Sequence, residues 1–252
     1  MKTKRFDWKS AVIFLAALAV LVSAVWKLCS AFLEYQKGRQ EYGELEESAV
    51  LAGKEKEDFT VDFDKLRAVN PDIIGWIYFE NMEISYPIVQ GKDNEYYLNH
   101  TFYGEENKCG CIFMEVENAA DFGDDNSFLY GHNMKDKSMF ARLNEFQKKE
   151  TYEKNPAFYI FTPKGVFQYK IYSCYSTELG GDSFLCRFKN QKEYGKWQKT
   201  VADKSLYDTG IAPNQNQKTV TLMTCTSAGA RERFLVHGVL TQEETAEFES
   251  NQ

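Results

Sequence analysis

Histidine is scarce in this chain, with three residues in 252, and proline is hardly more common, with five. Three histidines and no Cys-x-x-Cys pair leave too few ligands for a zinc site, so no metal is expected. A glycine-rich phosphate loop, a heptad run and an internal repeat are all lacking. Nucleotide-cradling, coiled-coil and solenoid readings fall with them. Excess basic charge is missing too. The net charge is −7, and the one basic group, Lys2, Lys4, Arg5 and Lys9, is confined to the N-terminus. No nucleic-acid partner is expected from that balance.

What the chain does have is aromatic residues, 15% of the total with 15 Tyr and 19 Phe, a composition that favours β structure. It also has one long apolar run. Ala11 to Trp26 is free of charge, and Leu28 to Leu33 continues it if Lys27 snorkels to the interface. The span is then about 23 residues, enough to cross a bilayer. Basic residues precede it, which predicts a cytoplasmic N-terminus and an extracellular remainder. A cleaved signal peptide is the rival, with Ala17-Leu-Ala19 and Val22-Ser-Ala24 as small-residue sites. The apolar run continues past both, which favours an uncleaved anchor. The expected organisation is a basic tail (1–10), an anchor (11–33), a helical stalk and charged linker (34–58), one domain (59–243) and an acidic tail (244–252).

Periodicity supplies the elements. Residues 28–52 and 62–69 read as helices, the second stopping before Pro71. Strands are predicted at 73–79, 84–89, 111–114, 127–130, 157–161, 166–175, 219–225 and 231–240. Pro87 marks an edge or a bulge in the second of them. A helix is predicted over 136–146, and another after Asn190-x-x-Glu193, which resembles a capping box, with Tyr194, Trp197 and Val201 as its buried stripe. Short strands with helices confined to insertions indicate a mostly β (α+β) barrel or sandwich. Of the six cysteines, Cys109 and Cys111 are too close in an extended segment to pair easily, whereas Cys174 and Cys186 can bridge.

The stretch that carries chemistry is Thr219 to Leu240. Thr221, Met223 and Cys225 alternate with Val220, Leu222 and Thr224, so a half-buried strand ends at Cys225. After a small polar loop, Arg231 or Arg233 opens the next strand. A lone cysteine is ordinarily a small core residue. A neighbouring cation, however, stabilises a thiolate, and a guanidinium at a strand start can face an oxyanion. The thiol also needs a base. His132 sits on a loop at a strand end, His237 shares a strand face with Arg233, and His100 reads as a packed loop residue. Spacing alone leaves His132 and His237 both open.

Several longer motifs stand along the chain: Asn70-Pro-Asp-Ile-Ile-Gly-Trp76, Tyr86-Pro-Ile-Val-Gln-Gly91, Asp93-Asn-Glu-Tyr-Tyr-Leu-Asn-His100, Phe128-Leu-Tyr-Gly-His-Asn-Met134, Ser205-Leu-Tyr-Asp-Thr209, Thr221-Leu-Met-Thr-Cys225 and Arg233-Phe-Leu-Val-His-Gly238. Together they resemble a class B sortase, a membrane-anchored cysteine transpeptidase of Gram-positive bacteria. The resemblance spans about Phe63 to Leu240. It implies a closed eight-stranded barrel with N-terminal helices and a helix inserted before the strand that leads to the nucleophile.

Carried over by residue, the resemblance makes Cys225 the nucleophile, His132 the general acid/base and Arg233, ahead of Arg231, the orienting cation. Asn94, Leu98, Tyr130 and Thr224 become groove residues. Met223, also assigned to the groove, stands where class B members often carry Ser, a departure that bears on substrate preference. The implied partners are secreted proteins bearing a sorting signal, near Asn-Pro-Gln-Thr-Asn or (Asn/Ser)-Pro-x-Thr-Gly, and a peptidoglycan amine. No cofactor is implied. The competing readings are a hydrolytic cysteine peptidase, a pilus-polymerising sortase and a non-catalytic anchored β-domain.

Overall fold

One helix, α1 (Trp8–Ala49), carries the apolar run and continues unbroken through the stalk. At 1.5 Å per residue it is a rod about 63 Å long. This computed structural model describes residues 8–52, 59–226 and 231–245. The expected charged linker, acidic tail and basic residues before Trp8 therefore lie largely outside the described residues. The two halves of α1 differ in what covers them. In the first, Ile13, Trp26 and Leu33 are exposed, and this part is long and apolar enough to cross a membrane. In the second, Tyr42, Leu45 and Ala49 are buried in the core of the domain.

The helix stops at Ala49, three residues short of the sequence expectation. Val50–Ala52 instead form β1, which pairs antiparallel with β2 (Thr60–Val61). Next comes α2 (Phe63–Val69). Asp62 caps it by accepting from the Lys65 amide at 2.9 Å, and Asn70, extended before Pro71, ends it.

Eight strands follow and close on themselves. They are β3 (Ile73–Tyr78), β4 (Ser85–Val89), β5 (Ile112–Met114), β6 (Asn126–Tyr130), β7 (Ala157–Thr162), β8 (Gly165–Glu178), β9 (Thr219–Cys225) and β10 (Glu232–Thr245). Their order is β10-β8-β7-β3-β4-β5-β6-β9, and β9 returns to β10. The pairs β4–β5 and β6–β9 are parallel and the rest antiparallel. The choice between barrel and sandwich is settled by β9, which has a partner on each side. Pro87 lies where β4 has no β5 partner, so its missing N–H breaks no pairing on that side. Two helices complete the domain, α3 (Lys149–Lys154) and α4 (Gln191–Asp203), the latter preceding β9 as expected. Asn190 caps α4 through the Glu193 amide at 3.0 Å.

Trp76, Ile88, Leu129, Ile160, Leu222 and Phe234 belong to the barrel interior. A second apolar layer lies outside it. There Tyr194, Trp197 and Val201 of α4 pack on Phe128, Tyr172, Tyr175 and Leu235. This layer corrects the half-buried reading of β9: Thr219 to Leu222 are buried on both faces, because α4 covers the outer one.

Other expectations change as well. Over 136–146 only Ala141–Gln147 is helical, and as a 3-10 segment. Lys137 and Met139 have φ of 65° and 56°, outside the α-helical region. The apolar set predicted there, Met139, Leu143 and Phe146, is nonetheless buried. Strand β10 runs past Leu240 to Thr245, paired with the start of β8. Cys174 and Cys186 are both free thiols, and burial pushes the Cys174 thiol up to about 12.

Candidate active site

Parallel pairing of β6 and β9 places Tyr130 beside Met223, and the Gly131 amide donates to the Met223 carbonyl at 3.1 Å. Both strands therefore end together. His132 follows two residues after Tyr130, and Cys225 two residues after Met223. On the other side β10 enters antiparallel, with Arg233 directly opposite Cys225. Three neighbouring strands thus deliver an imidazole, a thiol and a guanidinium to one end of the sheet. Arg231 precedes the paired stretch, which begins at Arg233. Residues 227–230, part of the small polar loop expected after Cys225, lie outside the described residues.

The sequence left two histidines open, and their surroundings separate them. His237 pairs with Thr221, four residues back along β9, or about 13 Å at strand spacing. It is 0% exposed, its Nδ1 lies 2.9 Å from Thr221 Oγ1, and its ring stacks on Tyr175. Burial pushes its pKa down to about 3, with nearby Lys204 adding to the effect. It is a neutral core residue. His100, stacked on Tyr96 with Nδ1 2.8 Å from the Tyr96 carbonyl, is a packed loop residue as expected.

His132 is partly exposed. Its Nε2 lies 2.7 Å from the Leu98 carbonyl, which can only accept, so this nitrogen carries a proton. In the neutral ring Nδ1 is then the basic nitrogen. The loop that carries the ring is held firmly. The His132 carbonyl accepts from the Phe140 amide at 3.1 Å, and the Met139 amide donates to Tyr86 Oη at 3.0 Å. Gly131 permits the chain to pass here, since a Cβ at that position would come within 2.5 Å of Ile112 and 2.6 Å of Phe140.

Cys225 is half-buried. Its carbonyl accepts from Asn144 Nδ2 at 3.2 Å, and the same amide group donates to the Ala141 carbonyl. Thr226 closes the base of the loop through its amide to the Glu232 carbonyl and its hydroxyl to the Glu232 carboxylate. The Arg233 guanidinium donates to the Glu232 carbonyl at 3.1 Å. Asn144 was not singled out in the sequence, where nothing distinguishes it from any other surface asparagine.

The expected groove residues fall into two groups. Asn94 and Tyr130 meet through Glu115, another residue without a sequence signal. Tyr130 Oη and Asn94 Nδ2 each donate to its carboxylate at 2.5 Å. Burial, and then the hydrogen bond to Glu115, hold the Tyr130 phenol well above its ordinary range, so it stays protonated. Leu98 is tied to His132 through its carbonyl, and its side chain is partly exposed. Met223, half-buried, packs on the edge of the α4 layer. Thr224 is different: it is 1% exposed, and its hydroxyl has no hydrogen-bond partner among the described residues. Its side chain belongs to the interior rather than to an open groove.

Residues 179–188 are pinned. Trp197 Nε1 donates to the Asp182 carbonyl at 2.7 Å, Asn126 Nδ2 to that of Leu185 at 3.0 Å, and Arg187 to that of Glu117 at 2.7 Å. This segment is a wall along the outer face of the barrel. A cleft of ≈ 530 Å³ lies elsewhere, between α1 and the β3–β4 turn, lined by Arg39, Tyr42, Asn81 and Tyr86. Its lining contains neither thiol nor imidazole.

A closed mixed barrel with this trio at the shared end of three strands defines a class, that of the barrel-fold thiol enzymes. Comparison with known proteins gives the family. A family model of the sortase domain matches residues 77–241. Sortase B of Staphylococcus aureus is 28% identical over 229 residues, covering 90% of this chain and 93% of that protein. The crystal structure of sortase B from B. anthracis superposes with a TM-score of 0.75 at 31% identity, over 84% of this chain and 99% of the other. That of Clostridium perfringens sortase B gives 0.68 at 32%, over 72% and 100%. The chain belongs to the sortase family, as a class B member, and is a sortase-type cysteine transpeptidase of cell-wall anchoring.

Proposed function

We propose that Cys225 is the nucleophile of this transpeptidase, with His132 as general acid/base and Arg233 as the cation that orients the acyl carbonyl and stabilises its oxyanion. The observation that carries the reading is the register: Arg233 opposite Cys225, and the β6 end that bears His132 alongside the β9 end that bears Cys225. The Cys225 thiolate attacks the Thr carbonyl of a sorting signal. An S–C bond forms, the C–N bond breaks, and His132 gives its proton to the leaving amine. A peptidoglycan amine then attacks the thioester. His132 takes the proton released, the C–S bond breaks and the thiolate is restored. Every atom is supplied by enzyme, signal and amine, so no cofactor enters.

The signal is of the Asn-Pro-Gln-Thr-Asn or (Asn/Ser)-Pro-x-Thr-Gly kind, read along Asn94, Leu98, Tyr130 and Met223. Thr224, being buried, supports the groove from behind. The apolar half of α1 anchors the enzyme, with Lys2, Lys4, Arg5 and Lys9 cytoplasmic and the barrel outside. The test uses the full chain in detergent, because the second half of α1 is part of the core. Quenched peptides ending in Thr-Asn or Thr-Gly are offered with and without an amine, and mass spectrometry follows Cys225. The expected result is an acyl adduct on Cys225 that passes to the amine and is absent in Cys225→Ala. Transfer to water alone, with amine present, would reject the transpeptidase step proposed here.

A further inference from the structure

Glu115 follows β5 directly and has no part in the chemistry above. Its main chain is fixed by the Phe128 carbonyl, which accepts its amide at 2.9 Å, and by Gln90 Nε2, which donates to its carbonyl at 2.9 Å. Its carboxylate accepts from the neighbouring Glu117 amide at 3.4 Å and from two side chains that come from different parts of the chain. Oε2 takes the Tyr130 hydroxyl and Oε1 takes Asn94 Nδ2, each at 2.5 Å. Asn94 is held from its other end as well, since its Oδ1 accepts from the Val116 amide at 2.9 Å.

An ionised carboxylate can only accept. Tyr130 must therefore spend its one hydrogen on Glu115, and Asn94 must aim its nitrogen there. What remains for a ligand is then determined. Tyr130 offers oxygen lone pairs, and Asn94 offers its second N–H. We infer that Glu115 is a positioning residue of the peptide groove, presetting Tyr130 as acceptor and Asn94 as donor toward an amide group of the bound sorting peptide. This rests on the reading of Asn94 and Tyr130 as groove residues. Because Glu115 acts through these two, it governs how tightly the peptide binds rather than the bond-breaking steps.

The experiment is steady-state kinetics of the full chain on a cleavable peptide, with Tm measured alongside. In Glu115→Gln one acceptor becomes a donor, so Tyr130 and Asn94 cannot both donate to this side chain and the preset pattern is lost. KM is expected to rise about tenfold with kcat within about twofold. In a Tyr130→Phe/Asn94→Ala background the same change should alter KM by less than about twofold, since nothing is left to position.

Glu115→Gln with normal KM, while Tyr130→Phe and Asn94→Ala each raise KM, overturns this inference and leaves the groove reading intact. Normal KM in Tyr130→Phe and Asn94→Ala overturns both. If Glu115→Gln lowers Tm so far that it cannot be assayed, the Tyr130→Phe by Asn94→Ala cycle decides. A shared carboxylate predicts non-additive effects on KM, and additive effects would reject the inference.

Discussion

The outer face of β6, β9 and β10 is one surface with two ends. At one end α4 covers it, and His237, Thr221 and Phe128 are sealed beneath Trp197 and Tyr194. At the other the cover stops, and Met223, Cys225 and Tyr130 become partly exposed. The side chains along this face belong to the same strands in the same register. A histidine serves each end. Under α4 the ring is held neutral by burial. At the uncovered end a partly exposed ring is held by a single carbonyl. Residue type does not separate the core histidine from the one proposed as general acid/base; the helix laid over the sheet does.

The sharpest test of this contrast exchanges the weight on the two histidines. His132→Ala is expected to lower kcat/KM by about 10³-fold, the usual scale for a lost general acid. His237→Gln keeps an acceptor near Thr221 and should leave kcat/KM within about threefold while lowering Tm. Peptide cleavage by both variants, scaled to folded protein, checks this. A larger catalytic loss in His237→Gln than in His132→Ala would break the comparison.

Next in size is the arginine pair. Arg233 faces Cys225, whereas Arg231 lies ahead of the paired stretch. Arg233→Lys keeps the charge but loses the fixed fork of donors, and a loss of about 10² in kcat/KM is expected. Arg231→Lys should stay within about twofold. Equal losses would show that charge near the strand start, not register, is what matters.

Much of this was legible in the sequence, and the illegible part has a common cause. Alternation in 219–225, the Asn190 cap and the α4 stripe of Tyr194, Trp197 and Val201 are local patterns, and the chain displays them locally. The covered face was not visible, because burial of Thr221 depends on where α4 docks. Nor were Glu115 and Asn144. Glu115 meets Asn94 across 21 residues of sequence, and Asn144 reaches the Cys225 carbonyl across 81. An acidic or amide residue in a loop carries no periodic signal, and only closure of the barrel brings it to its partner. The same holds for β10: its last residues, Glu244 and Thr245, read as the start of an acidic tail until β8 is placed beside them.

The covered end should also reveal itself through pH. An unfolded imidazole takes up a proton near 6.5, whereas buried His237 resists it until about 3. Between those values the unfolded state binds more protons, so stability is full above about 6.5 and falls as pH drops. Lys204 has the same sense, since its cation opposes a second positive charge. The expected loss from pH 6.5 to 5 is about 2 kcal/mol. Urea unfolding across that window should show this slope in the native protein and a flatter one in His237→Gln. An unchanged slope would mean that water reaches the ring and that the cover is not sealed.

The smallest expected effect sharpens the uncovered end. Cys225 ends its strand, paired with Arg233, and other contacts fix its backbone as well. Asn144 supplies one of them, joining the Cys225 carbonyl to the 3-10 segment that follows the His132 loop. Removing it by Asn144→Ala should cost about 1 kcal/mol of stability, the ordinary worth of a hydrogen bond. It should also reduce kcat/KM by up to about tenfold, since the β6–β9 pairing is then what relates thiol to imidazole. Asn144→Asp cannot donate to either carbonyl and should behave no better than alanine. If both variants lose stability yet keep full kcat/KM, the β6–β9 register alone holds the two groups in place, and the tie between their loops is structural.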